Sequence, residues 1–426
     1  MTNWKEIRIS DLGPVITGNT PPKSDPNNYG GSYPFIKPTD MTIGQRFVHE
    51  WDETYSEKAF KRYKKAYIPP KATGVVTIGT VGEKMFLTDR DCFTNQSVNV
   101  VIPSKDYDEL FVYYLLLCNL PKVANANPGT ASGRHHVSKS NFCSIKVQVP
   151  ENKQTQRKIA SILSAYDNLI ENNLKRIKLL EELAQITYEE WFTSRRINGK
   201  TVPDESIVLN RLIDLTGEYM NGGWGKEEIE EKYTKEAYVI RGTDMPDIAS
   251  GNFAQIPLRF HTESNLKPRK LRFGDISIEM SNGNIGNVGR SFFFDGSLDK
   301  VLKKPFMCAS FCKMLRPKTV DEAFIIDLHL KYIHRSNKML VYKSQGANGI
   351  NNFRFEDMIN DEEIFVPQGE YYQALVDPIK ANYELTSNLR IQISLLKEAR
   401  DILLPRLMTG MIDVEQINIK EHVVSN

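Results

Sequence analysis

At 426 residues the chain exceeds one ordinary domain and predicts two or three, each large enough to bury a core without disulfides or a structural metal. Its 40% hydrophobic and 25% charged residues are globular values, and a formal net charge of +2 lacks the excess of a nonspecific nucleic-acid binder, so DNA is neither demanded nor excluded. The cysteines, Cys92, Cys118, Cys143, Cys308 and Cys312, are odd in number; only the last two are close, and no second Cys/His pair stands at zinc-finger spacing. All five are expected as reduced thiols of a cytoplasmic protein.

The chain opens on Asn3-Trp4-Lys5-Glu6, too polar for a signal peptide, and its longest apolar run, 110–118, is too short to span a bilayer. Residues 1–152 read as a mixed domain of mainly short strands, punctuated by turn signals such as Asn19-Thr20-Pro21-Pro22 and Asn28-Tyr29-Gly30-Gly31. Within it stand Ile36-Lys37-Pro38-Thr39-Asp40-Met41, a buried-strand pattern Gly74-Val75-Val76-Thr77-Ile78, and the turn Gly79-Thr80-Val81-Gly82. The run Lys61-Arg62-Tyr63-Lys64-Lys65 has two readings, a phosphate-holding patch or a solvated helix face. Gly129-Thr130-Ala131-Ser132-Gly133 follows, and the segment closes on a strand ending Val147-Gln148-Val149-Pro150.

Residues 155–192 contain no Pro or Gly. Apolar residues recur at steps of four and three: Ile159, Leu163, Tyr166, Ile170, Ile177, Leu180, Ala184 and Trp191. That is a heptad seam, opposite a face of Lys175, Arg176, Lys178, Glu181, Glu182 and Glu189, and it predicts a long helix over 153–195. Asn173 falls on the seam, either as a register-setting polar residue or at an exposed edge.

The second half, 205–368, repeats the first. Ile240-Arg241-Gly242-Thr243-Asp244-Met245 matches 36–41, Gly274-Asp275-Ile276-Ser277-Ile278 matches 74–78, and Gly346-Ala347-Asn348-Gly349 corresponds to 129–133. A strand ending Ile364-Phe365-Val366-Pro367 leads into a second helix over 369–410 with the seam Leu375, Ile379, Leu389, Ile393, Leu396, Leu403 and Leu407, then a tail, 411–426. Pro378 should kink or restart this helix and Pro405 disturb its last turn. The fold class is α+β: two pseudo-repeated domains, each followed by a long helix, the helices packing as an antiparallel coiled coil.

The polar loops suit base edges, since Asn and Gln pair with adenine and Arg or Lys with guanine. In the first domain the candidates are Thr20, Lys23, Lys37, Thr39, Asp40, Thr80, Asn95, Gln96, Arg134, His135 and Lys139. In the second they are Arg241, Thr243, Asp244, Asn282, Asn284, Asn287, Arg290, Gln345, Asn348, Asn351 and Arg354. The repeated Thr-Asp-Met has a second reading as a turn device, its Asp bonding local amides. No active site emerges. Asn198-Gly199-Lys200-Thr201 lacks the first Gly of a phosphate-binding loop, where Ser194 stands, and Gly283, Gly286 and Gly289 do not form the dinucleotide fingerprint. Asp204 with Glu230-Glu231-Lys232 sketches a metal nuclease only loosely, and His135-His136 has no acidic ligand motif around it. No catalytic or metal-binding residue is assigned.

The ordered set 36–41, 79–82, 154–166 with the long helix behind it, and Leu403-Leu404-Pro405-Arg406-Leu407-Met408-Thr409-Gly410 resembles the specificity subunits of type I restriction–modification systems. The resemblance implies that 1–152 and 205–368 are target recognition domains, each reading one half of a split double-stranded DNA site. It implies that the helices set the gap between the halves and dock two methyltransferase subunits, with restriction/translocase subunits added. Ile159, Leu163, Tyr166, Ile170, Ile177, Leu180, Leu389, Ile393, Leu396, Leu403 and Leu407 are the candidate interface. The chain itself is expected to need no cofactor; its partners would use S-adenosylmethionine, ATP and Mg. Other readings are a two-headed coiled-coil adaptor that binds proteins without DNA, a free-standing nuclease, and the specificity component of a related system with a fused catalytic partner.

Overall fold

The computed structural model describes residues 3–126, 135–346 and 349–417. It divides into two compact units: one built from the chain up to Asn168 together with the chain from Lys397 on, the other from Leu169–Leu396. Both are α+β, with mostly antiparallel short-strand sheets. Each contains a stretch of both long helices, Lys153–Ser194 and Glu370–Met408.

In the first unit, Trp4–Arg8 pairs antiparallel with Lys146–Pro150, the strand that feeds the first long helix. A four-stranded sheet runs in the order Val15–Thr17, Val98–Val101, Thr73–Val76, Met85–Leu87. A three-stranded one places Tyr29–Ile36 between Thr54–Tyr55 and Phe93–Thr94, the last in parallel. Helix Glu109–Cys118 starts at Asp108, which accepts from the Phe111 amide, and buries Phe111 to Leu116 against the core. The apolar run too short for a membrane is thus a core helix, and no helix among the described residues is long and apolar enough to cross a bilayer.

The second unit repeats the plan. Ile207–Arg211 pairs with Glu363–Pro367; Ile276–Glu279 lies between Cys312–Pro317 and Ser291–Phe293; Lys235–Ile240 lies between Leu258–His261 and, in parallel, Phe306–Cys308. A further sheet joins Ser281–Asn282, Asn351–Phe353 and Lys343–Gln345. Strand pairing also corrects the register of the repeat. Val76 pairs with Val98 and Glu279 with Cys312, and the Val76 and Glu279 amides donate to the Lys84 and Arg290 carbonyls. The strand Thr73–Val76 therefore matches Ile276–Glu279, three residues on from the match on glycines, because ladder position and not residue type defines equivalence.

The seam expected from the heptads forms within each unit, with the helices antiparallel. In the first, Ile159 and Leu163 share a core with Leu404 and Leu407, and the Arg400 guanidinium meets Asp167 at 2.6 Å. In the second, Ile170 and Ile177 pack with Leu389 and Ile393, and Asn173 Nδ2 donates to Gln392 Oε1 at 3.2 Å. Asn173 is buried, which settles its two readings in favour of the seam. The second helix runs as one element through Pro378 and Pro405, so neither proline restarts or ends it. Both prolines are exposed, so water can satisfy the carbonyls they leave unpaired.

Candidate nucleic-acid interface

The 240–245 turn is built by its own side chains. The Arg241 amide donates to Asp244 Oδ2 at 2.8 Å, and the Arg241 guanidinium reaches Asp244 Oδ1 at 2.6 Å. That bond holds Arg241 above its ordinary pKa, against the effect of burial. Asp244 is only 3% exposed and fully engaged. The turn is then bolted to the sheet, since Arg290 Nη2 donates to the Gly242 carbonyl at 2.5 Å and to Glu279 Oε2 at 2.9 Å. A β-carbon on Gly242 would lie 2.2 Å from the Glu279 carboxylate, so any larger residue there would push that carboxylate off its bonds to Arg290 and Asn282. Asn282 Nδ2 donates to Glu279 Oε1 at 2.7 Å, while Asn282 Oδ1 accepts from the Asn284 amide and Asn284 Oδ1 from the Gly286 amide. Asn351 Nδ2 closes the cluster on the Gly283 carbonyl at 3.1 Å.

Arg241, Thr243, Asp244, Arg290, Asn282, Asn284 and Asn351 thus come together. Several are framework: Asp244 and Asn351 are buried, and the Asn284 carbonyl oxygen shapes its own loop. Thr243, Asn284 and Gln345 are exposed, and Asn287 is half-buried. Arg354 lies apart, paired with Asp357 and the Val341 carbonyl. Asn348 lies outside the described residues.

The first unit has the same bolt with different parts. The Lys37 amide donates to Asp40 Oδ2 at 2.8 Å, and Lys84 Nζ donates to the Pro38 carbonyl at 2.9 Å. Lys37 Nζ turns to Glu53 at 3.1 Å, where Lys23 also approaches at 3.7 Å. In both units the Asp builds the turn, so the turn-device reading accounts for Asp40 and Asp244, and the side chain left exposed is Thr39 or Thr243. Thr20 Oγ1 donates to Gln96 Oε1 at 2.5 Å, leaving the Gln96 amide group outward; Asn95 Oδ1 accepts from the Ser97 amide at 3.1 Å. The Gly79 amide donates to the His135 carbonyl, joining the Thr80 turn to the His135 segment, and Thr80 Oγ1 is buried with no partner among the described residues. Lys139 opens an exposed helical turn, Lys139–Ser144. Arg134 lies outside the described residues.

Beside Asn19 and the Thr20–Gln96 pair, a recess of about 520 Å³ is lined by Lys61, Arg62, Tyr63, Lys64 and Lys65. Their four cationic side chains are exposed, and the run combines a helix end with a short 3-10 turn.

The candidate interface list needs correction. Ile159, Leu163, Ile170, Ile177, Leu389, Ile393 and Leu407 are buried inside the chain's own helix pair, with Tyr166, Leu180, Leu396 and Leu403 half-buried at its rim. The seam holds the chain together and cannot also receive a partner. What the first helix exposes in the second unit is another stripe, Leu179 (64%), Leu183 (52%) and Ile186 (62%). Sequence reading missed this stripe, which lies at i, i+4, i+7 spacing outside the heptad. It also missed Lys84 and Glu279, and the repeated Arg8-Ile9-Ser10-Asp11-Leu12 and Arg211-Leu212-Ile213-Asp214-Leu215. There the Asp caps the Arg amide at 2.9 and 3.1 Å, and the 203-residue spacing shows the true register. The nuclease sketch finds no common site: Asp204 sits in the short turn Asp204–Ser206, while Glu230 pairs with Lys226. Cys308 donates to Ser277 and burial pushes its thiol up to about 12.

The structure is a duplicated α+β domain with long intervening helices, each copy presenting polar loops around a bolted turn. Residues 1–182 match the type I restriction modification DNA specificity domain. Over 97% of its length the chain is similar to the type I restriction enzyme MjaIX specificity subunit of Methanocaldococcus jannaschii, 24% identical and covering 95% of that protein. It is 30% identical over 181 residues to the HindI specificity subunit of Haemophilus influenzae, 42% of this chain and 39% of that one. The crystal structure of a type I restriction–modification S subunit from M. genitalium has the same fold, with a TM-score of 0.55 at 15% identity, covering 95% of this chain and 96% of that one. The first 182 residues thus carry the match to the specificity domain, and over nearly its whole length the chain is similar to type I restriction enzyme specificity subunits.

Proposed function

We propose that the chain reads a split double-stranded DNA target, with 1–152 and 205–368 as target recognition domains and the helices 153–195 and 369–410 as the element that sets the gap. The observation that carries this is the duplicated bolted turn. Lys84 on Pro38 and Arg290 on Gly242 hold the same loop in both units, and in the second unit Asn282 and Asn351 gather around the bolt. Rigid backbone with outward Thr39, Gln96, Thr243 and Gln345 suits direct readout, while Lys61, Arg62, Lys64 and Lys65 suit phosphate oxygens. Two moderate readers in one chain gain affinity through effective concentration.

Two methyltransferase subunits dock on the helices, and the exposed stripe of Leu179, Leu183 and Ile186 supports this. Restriction/translocase subunits join them in the cytoplasm. S-adenosylmethionine, ATP and Mg belong to those partners and not to this chain. The test is co-expression with the methyltransferase subunit of the same operon, followed by genome-wide mapping of methylated adenine. A motif of two short specified halves around a fixed unspecified gap is expected. An assembly that forms but methylates no new motif would leave the two-headed protein adaptor as the better reading.

A further inference from the structure

Phe311 occupies a position that the core does not explain. Its loop joins Phe306–Cys308 to Cys312–Pro317 and is tied down on both sides of Ser310–Phe311: the Ala309 amide donates to the Ile240 carbonyl at 2.9 Å, the Cys312 amide to the Ala309 carbonyl at 2.8 Å, and the Gly222 and Gly223 amides to the Cys312 and Cys308 carbonyls at 2.9 Å. The Phe311 carbonyl itself accepts from the Met280 amide at 2.8 Å. Cys308, Ala309 and Cys312 are buried, yet the Phe311 side chain is 71% exposed. A β-carbon on Gly222 would lie 2.1 Å from the Ala309 carbonyl oxygen, so these segments are in direct backbone contact. The backbone that carries Phe311 is thus anchored on both sides and at its own carbonyl.

The place matters as much as the exposure. Met280 is followed by Ser281–Asn282 and accepts from the Phe353 amide at 2.8 Å, so Phe311 adjoins the Glu279–Arg290–Asn282–Asn351 cluster. The segment bonded to this loop through Gly222 and Gly223 continues into Trp224, 37% exposed, with the Arg259 guanidinium 4.8 Å from the centre of its ring.

The first unit builds the same corner with the same bonds. The Asn19 and Gly18 amides donate to the Thr94 and Val98 carbonyls at 2.8 and 3.2 Å, and the Thr77 amide donates to the Ser97 carbonyl at 2.8 Å. By those bonds Ser97 stands where Phe311 does, and Thr20 where Trp224 does. One corner is filled with a Thr20–Gln96 hydrogen bond, the other with two exposed aromatic rings.

We infer that Phe311 is an apolar wedge with which the second unit unstacks one base step of its half-site, beside the bases that its polar cluster addresses. This rests on the DNA-reading function proposed above. Apolar side chains on rigid loops enter and unstack base steps, and they do so most easily at flexible pyrimidine–purine steps. The second half-site would then be selected in part by deformability, whereas the first would be read by hydrogen bonds alone.

The test uses the full chain assembled with its methyltransferase subunits and a duplex carrying the methylated motif, with 2-aminopurine placed in turn at each step of each half. Apart from the adenine that the methyltransferase subunits extrude, the wild-type assembly should brighten the probe severalfold at one step of the second half only. Phe311→Ser, which installs the residue of the first unit, should abolish that signal and weaken target binding about tenfold or more without changing its salt dependence. Phe311→Leu should retain part of both. A wild-type assembly that unstacks no step of that half overturns the inference. So does Phe311→Ser that keeps the signal, or that loosens subunit assembly while surviving complexes still brighten the probe. A wild-type assembly with no sequence preference would overturn the DNA-reading proposal itself, and the wedge with it.

Discussion

In the first unit a lysine, Lys84, holds the reading turn by a single bond to the Pro38 carbonyl; in the second an arginine, Arg290, holds the Gly242 carbonyl and also neutralises the buried Glu279. The helix contacts differ in the same manner. Tyr114 donates to Asp167 of the first long helix at 2.6 Å, and in the second unit Tyr383 of the second long helix donates to Asp327, so donor and acceptor have changed sides. Burial, then the carboxylate beside it, pushes each tyrosine up, which keeps it the donor. The buried carboxylate is met by Arg400 at 2.6 Å in the first unit and by Lys331 at 2.6 Å in the second. The lesson is that the duplicated backbone conserves where a polar bond must fall, while leaving open which residue supplies each end and how costly its loss becomes.

The cost can be measured. Arg400→Ala leaves Asp167 buried with only a tyrosine, and should destabilise the first unit by about 3–5 kcal/mol in denaturant unfolding. Lys331→Ala, at a cation more than a third exposed, should cost the second unit about 1 kcal/mol. Equal losses would break the comparison. Next in size, Arg290→Ala should cost about 2–3 kcal/mol, because Glu279 is stranded, against about 1 kcal/mol for Lys84→Ala. Each should blur sequence preference in one half-site only, read from the methylated motif.

Acid should also separate the units. Burial lowers His329, His334 and His261 below their ordinary value of 6.5, the first against the pull of its Glu362 partner. A lowered folded pKa means stability is fully present above 6.5 and is lost as pH falls below it, since the unfolded chain takes up protons first. Amide protection in the second unit, taken relative to the intrinsic exchange rate at each pH, should therefore fall between pH 7 and 5.5, and His329→Gln should reduce that response. The smallest effect is expected from Lys61→Ala, Lys64→Ala or Lys65→Ala: each should lower the salt slope of DNA binding by about 0.9 if that lysine contacts a phosphate, with motif unchanged.

Much of the fold was legible. Heptad spacing marks a long helix because its seam must be buried, and the Thr-Asp-Met repeat marks a duplicated turn because the same local bonds recur. The register of the repeat was not legible from Gly74 and Gly274, since strand equivalence depends on partners distant in sequence. The role of Asp244 was legible only as two open readings, a base contact or a turn device, and its burial and its bond from the Arg241 amide decide for the turn. Seam leucines were mistaken for an interface for the converse reason, because a heptad states that a face is buried but not whether the covering helix belongs to the same chain.

The claim that each domain reads its own half is tested most directly by replacing residues 205–368 with those of a relative and mapping methylated adenines from the assembled enzyme. One half of the motif should change while the other half and the gap stay as they were. A motif altered in both halves, or in neither, would contradict the account.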